Sequence, residues 1–392
     1  MNKPDALFDD QSIIARVENL LDDAIKKQAS DIHVEPTKES IRIRFRIDGF
    51  LMEQASFSLS LGPSIVTRLK ILANLNIAER RTPQDGKFQI HDNDNEIDIR
   101  VSTFPSLYGE KIVIRILNRL HQTITLESLG FELQVLEAFK KLIKQHNGFF
   151  LVTGATGSGK TTTLYAALSF LNSIEKNIVT LEDPIEYSLD GITQSQIYPG
   201  AGFTFERGMR SLVRQDPDII MVGEIRDKVT ARIAIEAALT GHLVLSTMHT
   251  AHAVGAIMRL IDMSIEPFLL NAALSGVLAQ RLVRKLCSNC KEQCIATKQQ
   301  KELLLKHGAH AEYVYTPKGC TECNNIGYRG RVGIFELLEI SPAFRQLIIK
   351  HASYYELQAQ AVKDGMKTLM HDGAHKVAEG TISFEEFMNV IL

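Results

Sequence analysis

The feature that most restricts the fold of this chain is a glycine-rich stretch, residues 154–161, with the sequence GATGSGKT. It matches the pattern G-x-x-x-x-G-K-[ST], whose glycines allow a tight turn. The apolar run 149–153 before it predicts a buried strand, and the pattern of 161–171 after it predicts a helix. A strand, a turn and a helix in this order are typical of α/β folds built on a parallel sheet.

The turn is also suited to hold phosphate groups, because glycines let backbone N–H groups point inward around phosphate oxygens beside a helix N-terminus. Lys160 can reach the β- and γ-phosphates of a nucleotide, and the Thr161 hydroxyl can ligate Mg²⁺. A glycine-rich turn without a ligand is the alternative, and the strand and helix around it weigh against that alternative. The predicted nucleotide-binding residues are Gly154, Ala155, Thr156, Gly157, Ser158, Gly159, Lys160, Thr161 and Thr162.

Three more short apolar runs, 178–181, 219–222 and 243–246, alternate with helical stretches. Continuous apolar runs of this length fit strands that are buried on both faces of a parallel sheet. The chain from about residue 131 therefore predicts an α/β domain that binds a nucleoside triphosphate.

Acidic residues follow two of these strands. Glu182 and Asp183 come directly after 178–181, and Glu224 follows 219–222 and one glycine. Because the carboxyl ends of parallel strands meet at one edge of the sheet, the three acids are expected to converge on the phosphates. Glu224 is placed to orient an attacking water. Asp218 precedes its strand, so we expect it at the opposite edge, where the role of a turn or cap residue is at least as well supported as a catalytic one.

Two histidines flank the predicted strand 243–246. His249 follows the strand and is expected on the phosphate side, where it could sense the γ-phosphate. His242 precedes the strand and is disfavoured by the same geometry. An isolated histidine is often structural, so that interpretation stays open for both.

Cysteines form two Cys-x-x-Cys pairs separated by 29 residues. Two such pairs suit one tetrahedral Zn²⁺ held by four thiolates, with no open position for catalysis. Reduced core thiols are the alternative, and Cys294 is expected to be a bystander. The predicted zinc ligands are Cys287, Cys290, Cys320 and Cys323.

The first 118 residues predict a small α+β domain with an antiparallel sheet. Along residues 41–47 apolar side chains alternate with Arg42, Arg44 and Arg46, so the arginines share one face of a strand. That face is either a solvated surface or a functional one. The other predicted elements are helices at 12–27 and 64–78, turns at 48–49 and 83–86, and strands at 97–101 and 111–116.

The charge balance argues against a broadly basic nucleic-acid binder, since 44 basic and 46 acidic residues give a net charge of −2. No apolar run approaches the roughly 20 residues that span a bilayer. Residues 1–11 are polar and lack a signal-peptide core. Together with paired cysteines that suggest a metal, this predicts a cytoplasmic location.

These motifs together resemble the assembly ATPases of type II secretion and type IV pilus systems, a branch of the secretion-ATPase superfamily. The resemblance extends from about Ala29 to Leu392 and is highly specific in combination. Besides the glycine-rich turn and the cysteine pairs, it rests on RFRIDG (44–49), TPQDG (82–86), LEDPIEY (181–187), RQDPD (214–218), GEIRD (223–227) and TGH (240–242).

The resemblance implies a RecA-like ATPase domain preceded by a small PAS-like domain and followed by a zinc-binding insertion and C-terminal helices. It implies Glu224 as the catalytic acid, Glu182 and Asp183 as metal or water ligands, and roles for His242 and His249. The expected divisions are 1–118, a linker at 119–130, the ATPase domain 131–285, the zinc-binding subdomain 286–333 and the helical region 334–392.

Family members are hexamers that convert ATP hydrolysis into rotation of an inner-membrane platform protein. The resemblance therefore implies ATP, Mg²⁺ and Zn²⁺ as cofactors, and peripheral attachment to the inner membrane through a membrane-anchored docking protein. In such a ring, arginines of one N-terminal domain can stabilise charge at the neighbour's nucleotide. Arg44, Arg46 and Arg68 are the candidates, and Arg226 is a weaker one. Typical members also carry an extra N-terminal docking domain, whereas this chain begins close to the sheet domain.

Three alternatives are weighed against this interpretation. Pilus-retraction motors of the same superfamily lack the zinc-binding cysteines. A nucleic-acid translocase with a zinc ribbon would need a stacking platform, and the chain has 7% aromatic residues and no Trp. A non-enzymatic scaffold is opposed by the intact Lys160 and Glu224. Secretion and pilus assembly are not separated by the sequence, and no nucleic-acid partner is expected.

Overall fold

The computed structural model describes residues 12–92, 95–118 and 124–391. The chain divides into two compact units, Met1–Gln122 and Thr123–Leu392. Residues 119–123 of the predicted linker and the N-terminal stretch 1–11 lie outside the described residues.

The first unit is a six-stranded antiparallel sheet in the order β3-β2-β1-β6-β5-β4, with two helices. Apolar and polar residues alternate along β2, so every second side chain is buried, as the sequence predicts. The elements are α1 (Ile13–Lys26), β1 (Asp31–Pro36), β2 (Ser40–Ile47), β3 (Phe50–Ser58), α2 (Gly62–Leu72), β4 (Gln84–Asp92), β5 (Asn95–Ser106) and β6 (Gly109–Asn118).

Two local predictions in this unit were wrong. The helix expected to reach residue 78 ends at Leu72, and Asn74 follows in the left-handed region at φ 56°. The expected turn at 83–86 is instead the start of β4, where Gly86 pairs with Val101. A Cβ on Gly86 would lie 2.3 Å from the carbonyl oxygen of Ala73. That glycine therefore permits close packing and does not mark a turn.

The second unit is built on a seven-stranded sheet in the order β15-β12-β7-β11-β10-β8-β9. All neighbours are parallel except β15, which runs antiparallel to β12 at the edge. The elements up to β12 are α3 (Leu133–Ile143), β7 (Gly148–Thr153), α4 (Lys160–Leu171), β8 (Ile178–Glu182), β9 (Thr193–Gln196), α5 (Phe205–Leu212), β10 (Ile219–Val222), α6 (Lys228–Leu239), β11 (Leu243–Met248), α7 (Ala253–Asp262), α8 (Pro267–Ala273) and β12 (Leu274–Leu286).

The four predicted parallel strands are all present as β7, β8, β10 and β11. Every residue of these strands is buried, because helices cover both faces of the sheet. Phe149 and Leu151 belong to one hydrophobic core, and Phe150 and Val152 belong to the core on the other face. The strand that precedes the glycine-rich turn is thus fixed from both sides in the middle of the sheet.

The cysteine-bearing insertion leaves the sheet after β12 and returns to it as β15. Its small core includes Leu304 and Val314 and is shared with the C-terminal helices through Val377 and Phe387. The predicted boundary at residue 333 falls inside β15, and the helices begin at Pro342. The elements are β13 (Glu292–Ile295), α9 (Lys298–Lys306), β14 (Tyr313–Thr316), β15 (Tyr328–Glu339), α10 (Pro342–Ile349), α11 (Tyr354–Lys363), α12 (Leu369–Ala378) and α13 (Phe384–Ile391).

None of the helices in the described ranges is both long enough and apolar enough to cross a membrane.

Candidate functional site

The glycine-rich turn connects the end of β7 to the start of α4. Gly154, Gly157 and Gly159 adopt φ angles of 155°, 79° and 83°, in the region that L-residues rarely adopt. At Gly154 a Cβ would lie 2.5 Å from both the Gln280 carbonyl oxygen and Ser158 Oγ. Position 154 therefore requires glycine. The turn places backbone N–H groups at the N-terminus of α4, where they attract anions.

Lys160 is the first residue of α4 and is only 8% exposed. Its Nζ donates to the carbonyl oxygens of Gly154 and Ala155 at 3.0 and 3.1 Å. Burial lowers the pKa of Lys160, and attraction to Glu224 opposes that shift. The Lys160 ammonium is thus hydrogen-bonded to carbonyl oxygens of the turn itself, and a phosphate group bound in the turn can replace these partners.

Glu224 lies two residues after β10, at the same sheet edge as the turn. One of its oxygens is 2.5 Å from Arg226 Nη2, and the other is 3.4 Å from His249 Nε2. Hydrogen bonding to Glu224 raises the pKa of Arg226, and Asp183 raises it further. Together with Lys160, these residues form one charged cluster beside the turn, as the sequence predicts for Asp183, Glu224 and His249.

Glu182 is placed differently from its neighbour Asp183. Its carboxylate is 2% exposed and accepts hydrogen bonds from the Tyr165 hydroxyl, from Thr180 Oγ1 at 2.5 Å and from Gln194 Nε2 at 3.1 Å. Burial and the adjacent carboxylate raise the pKa of Tyr165. Successive residues at the end of a strand point to opposite faces, so Asp183 is exposed while Glu182 is enclosed. The expectation that both acids converge is met by Asp183 alone.

His242 lies at the amino end of β11, and the turn lies beside the carboxyl end of that strand. Its Nδ1 contacts the carbonyl oxygen of Ala237 at 2.8 Å. Six strand residues separate the two edges by roughly 20 Å. The structure therefore does not bring His242 to the cluster. Asp218 lies at the same distant edge, as expected, and accepts from Asn177 N at 2.7 Å, which favours its role as a turn residue.

The arginine face of β2 has acidic partners within the first unit, which the sequence alone did not reveal. Arg44 donates to both oxygens of Glu35 at 2.8 and 2.9 Å, and Arg42 donates to Glu35 at 3.2 Å. Arg46 donates to the Gly49 carbonyl oxygen at 2.8 Å and lies 3.6 Å from Asp31. Glu35 and Asp31 belong to β1, a strand that the sequence pattern did not reveal. On α2, Arg68 lies 3.5 Å from Glu18.

Glu35 is the centre of this ion-pair group, and its side chain is 10% exposed. Burial alone would raise the pKa of Glu35, but hydrogen bonds from Arg44 and Lys111 outweigh it and lower that pKa to about 2. The carboxylate therefore stabilises the folded unit above its unfolded pKa of 4.5, and this contribution is lost as the pH falls toward 2.

We expect Glu35→Gln to lower the free energy of unfolding by on the order of 3 kcal/mol at pH 7, from about 1.4 kcal/mol per pKa unit. Chemical denaturation of both proteins between pH 7 and pH 2 measures the difference, which should shrink below pH 4.5. The exposed Glu39→Gln is the matched control and should change stability little. A deficit for Glu35→Gln that stays constant down to pH 2 would assign the effect to packing.

The four predicted zinc-binding cysteines come together in the insertion. The Sγ atoms of Cys287, Cys290, Cys320 and Cys323 lie within 4.8 Å of one another. Three of the separations are 3.8, 3.7 and 3.7 Å. Four sulfurs at a Zn–S distance of about 2.3 Å form a tetrahedron with edges of about 3.8 Å, so the donor set fits zinc.

Backbone N–H groups favour the thiolate form of Cys323. Cys320 N and Gly327 N each donate to Cys323 Sγ at 3.2 Å. Burial raises the pKa of Cys323, but these donors outweigh it and bring that pKa to about 7. Cys294 is exposed on β13 and lies outside the cluster, as expected for a bystander.

Two supports of the glycine-rich turn were missed in the sequence. Gln280 of β12 is 2% exposed and donates through Nε2 to the Ser158 carbonyl oxygen at 2.6 Å. Thr153 and Thr250 join hydroxyls at 2.6 Å, which ties the loop after β11 to the turn. Gln280 directly follows the short apolar stretch 277–279 and precedes Arg281, so the sequence gives no clear signal that it is buried.

Comparison with known proteins matches residues 6–389 to the family described as type II/IV secretion system protein. The type II secretion system ATPase E of Vibrio cholerae is 48% identical over 382 residues, which cover 97% of this chain and 76% of that protein. The type IV pilus assembly ATPase PilB of Myxococcus xanthus is 47% identical over 384 residues, which cover 96% and 68%.

Among solved structures, the ATPase DotB of Legionella pneumophila is similar to the whole chain. The two agree with a TM-score of 0.73 at 20% identity, over 99% of this chain and 98% of that one. At this level of identity the likeness shows the fold.

Proposed function

This chain belongs to the type II/IV secretion system protein family, and from that membership we propose that it is an ATP-hydrolysing motor. The proposed task is to power assembly of a type II secretion pseudopilus or a type IV pilus, as the names of the two relatives suggest. The observation that carries the ATPase assignment is the cluster of Lys160, Asp183, Glu224 and His249 beside the glycine-rich turn.

In the proposed reaction, the turn's N–H groups and Lys160 bind the β- and γ-phosphates, and Glu224 orients the attacking water. His249 Nε2, 3.4 Å from Glu224, holds that carboxylate toward the turn. Mg²⁺ held by the Thr161 hydroxyl would neutralise charge on the phosphates, with Asp183 as a metal or water ligand. His242 is given no part in these steps, since it lies at the other sheet edge, and Glu182 acts only by supporting Tyr165.

Arg226 has a role that the sequence left open. Its guanidinium lies 2.5 Å from one oxygen of Glu224 and takes up one of the hydrogen bonds that this carboxylate can accept, so its release leaves more of the carboxylate for water. A γ-phosphate offers the guanidinium a stronger partner. We therefore assign Arg226 to release Glu224 when ATP is bound.

The four cysteines are proposed to hold one structural Zn²⁺, because four thiolates leave no position for a substrate. The larger setting is likewise a proposal. The motor acts as a homo-hexamer in the cytoplasm, attached to the inner membrane through a docking protein and acting on a platform protein. No nucleic acid takes part. Family membership supports this setting.

The proposal also assigns Arg44 and Arg46 to the nucleotide of a neighbouring subunit, with Arg68 as a further candidate. Arg44 is held by both oxygens of Glu35, which fixes the direction of its guanidinium. Arg42 and Lys111 pair with the same carboxylate, so the group keeps a net positive charge. Arginines supplied in trans accelerate phosphoryl transfer by about 10³–10⁵ in other enzymes with this turn.

The test of the motor proposal is subunit mixing. We expect purified wild-type protein to hydrolyse ATP only as a ring, and Arg44→Ala and Glu224→Gln to be inactive separately. In a randomly mixed ring about a quarter of the interfaces join an intact arginine to an intact glutamate, so activity partly returns. Steady-state phosphate release measures it.

Lys111→Ala is the control for this experiment, because it removes another cation from Glu35 at the same distance, 2.9 Å. It should retain activity. If mixing restores no ATPase activity, Arg44 acts at the site of its own subunit or only in folding. Absence of turnover by wild-type rings would refute the ATPase proposal itself.

A further inference from the structure

Glu336 of β15 is a buried acid that the proposed reaction does not use. It is 1% exposed and accepts two backbone hydrogen bonds. Oε1 accepts from Ala253 N at 2.8 Å, and Oε2 accepts from Leu369 N at 3.3 Å. Ala253 is the first residue of α7 and Leu369 is the first residue of α12. One carboxylate therefore satisfies the amino ends of two helices.

The negative charge suits this position. The amino end of a helix carries partial positive charge and unpaired N–H groups. Among the described residues, the N-cap residue His252 gives α7 no side-chain cap, so Glu336 supplies the acceptor from another strand. Burial raises the pKa of Glu336, and the N–H of Ala253 and the nearby His252 counteract that shift.

The loop between β11 and α7 contains only four residues, 249–252, and it is fixed at both ends. At one end, Thr250 N donates to Thr153 Oγ1 at 2.9 Å, beside the glycine-rich turn. At the other end stands the bond from Ala253 to Glu336. The first residue of this loop is His249, whose Nε2 lies 3.4 Å from Glu224. His249 directly precedes the first anchor, Thr250, and Thr250 Oγ1 also donates to the His252 carbonyl oxygen at 3.2 Å. A shift at Ala253 is therefore passed through His252 and Thr250 to His249.

We propose that Glu336 is a positioning residue for ATP hydrolysis, which holds the loop 249–252 so that His249 faces Glu224. The inference rests on the proposed function of the site. Glu336 contacts neither the glycine-rich turn nor Lys160 in the described structure, so it acts on turnover and leaves nucleotide binding unchanged. Through Leu369 it also links this loop to the C-terminal helix α12.

Glu336→Gln keeps the size of the side chain but offers one oxygen and an NH₂ group to two N–H donors. One of the two helix ends therefore loses its acceptor. We expect kcat to fall at least about tenfold, because misplacement by about 1 Å costs up to about a hundredfold. The affinity for a fluorescent ADP analogue should stay within about threefold of wild type.

Asp372→Asn is the matched control. Asp372 is 7% exposed on α12, and its carboxylate accepts from Phe335 N at 2.7 Å and pairs with Lys376. It is thus a buried acid at the same contact of α12 with β15 that makes no contact with the loop 249–252 among the described residues. We expect it to lower stability while kcat stays within about twofold.

Hydrogen–deuterium exchange of the full-length variants separates positioning from general destabilisation. In Glu336→Gln, exchange should rise at 249–253 and remain as in wild type at 154–161. A second check is the double variant with His249→Ala, which should be no slower than His249→Ala alone, since both changes remove the same contact. Multiplicative losses, or wild-type exchange at 249–253 in Glu336→Gln, would overturn the proposal. Hydrogen–deuterium exchange can be measured whether or not the protein hydrolyses ATP. It can therefore contradict the positioning role of Glu336 without contradicting the proposed function.

Discussion

Glu224→Gln is expected to bind ATP within about threefold of wild-type affinity and to hydrolyse it at least about a hundredfold more slowly. The amide can neither accept a proton from water nor neutralise Arg226, which lies 2.5 Å from the carboxylate. Nucleotide titration and single-turnover hydrolysis measure the two quantities separately. Glu236→Gln is the control, because Glu236 also pairs with an arginine, Arg232, but lies on exposed helix surface.

Lys160→Ala is expected to have the opposite signature. It removes the ammonium that the phosphates would draw from the carbonyls of Gly154 and Ala155, so binding itself fails. Turnover should be undetectable at ATP concentrations that saturate the wild type. If Glu224→Gln hydrolyses ATP within a few-fold of wild type, Glu224 does not orient the water. If Lys160→Ala binds nucleotide normally, the turn is not the phosphate site.

The second large effect is expected from the cysteines. Purified protein should contain about one zinc per chain, measured by elemental analysis. Structural zinc contributes roughly 10–16 kcal/mol of apparent binding energy, which equals or exceeds the total stability of most domains. Cys287→Ser or Cys323→Ser should therefore unfold the insertion, which a protease assay detects as cleavage within 287–327.

Cys294→Ser is the control for those substitutions. Cys294 is exposed on β13, and its Sγ contacts only Thr316 Oγ1 and the Glu292 carbonyl oxygen among the described residues. The variant should keep both zinc content and protease resistance. Active protein free of metal, or an insertion that stays folded after removal of zinc by a chelator, would contradict a structural zinc site.

The parallel strands around the turn could be predicted because each is a short apolar run buried on both faces. The strands β9, β12 and β15 could not. Thr193–Gln196 is polar and belongs to an edge strand, so burial leaves no pattern in it. In Leu274–Leu286 the first seven residues are buried and the rest vary, so neither a continuous run nor an alternation covers the strand.

The functional site likewise contains residues that the sequence could place and residues that it could not. The topology of a parallel sheet decides which strand ends share an edge. The positions of Asp183, Glu224 and His249 could therefore be predicted from the sequence. The pairing of Arg44 with Glu35 depends on which strand lies beside β2 and in which register. The inward turn of Glu182 depends on the hydroxyl of Tyr165, 17 residues earlier. The hydrophobic periodicity of one segment does not predict which distant segment it contacts.

Because the chain leaves the sheet after β12 and returns to it as β15, the length of the insertion can change without a change in the pairing of these two strands. Leu286 and Tyr328 are paired neighbours, so the excursion between them begins and ends at one place in the ladder. Residues can be gained or lost within 287–327 without disturbing any strand of the nucleotide-binding sheet. A single residue added between Leu274 and Gln280 would do the reverse, since every later side chain of β12 would change face and Gln280 would turn away from Ser158. The length of the chain between Leu286 and Tyr328 is therefore independent of the register of the sheet, whereas the length of β12 before Gln280 is not.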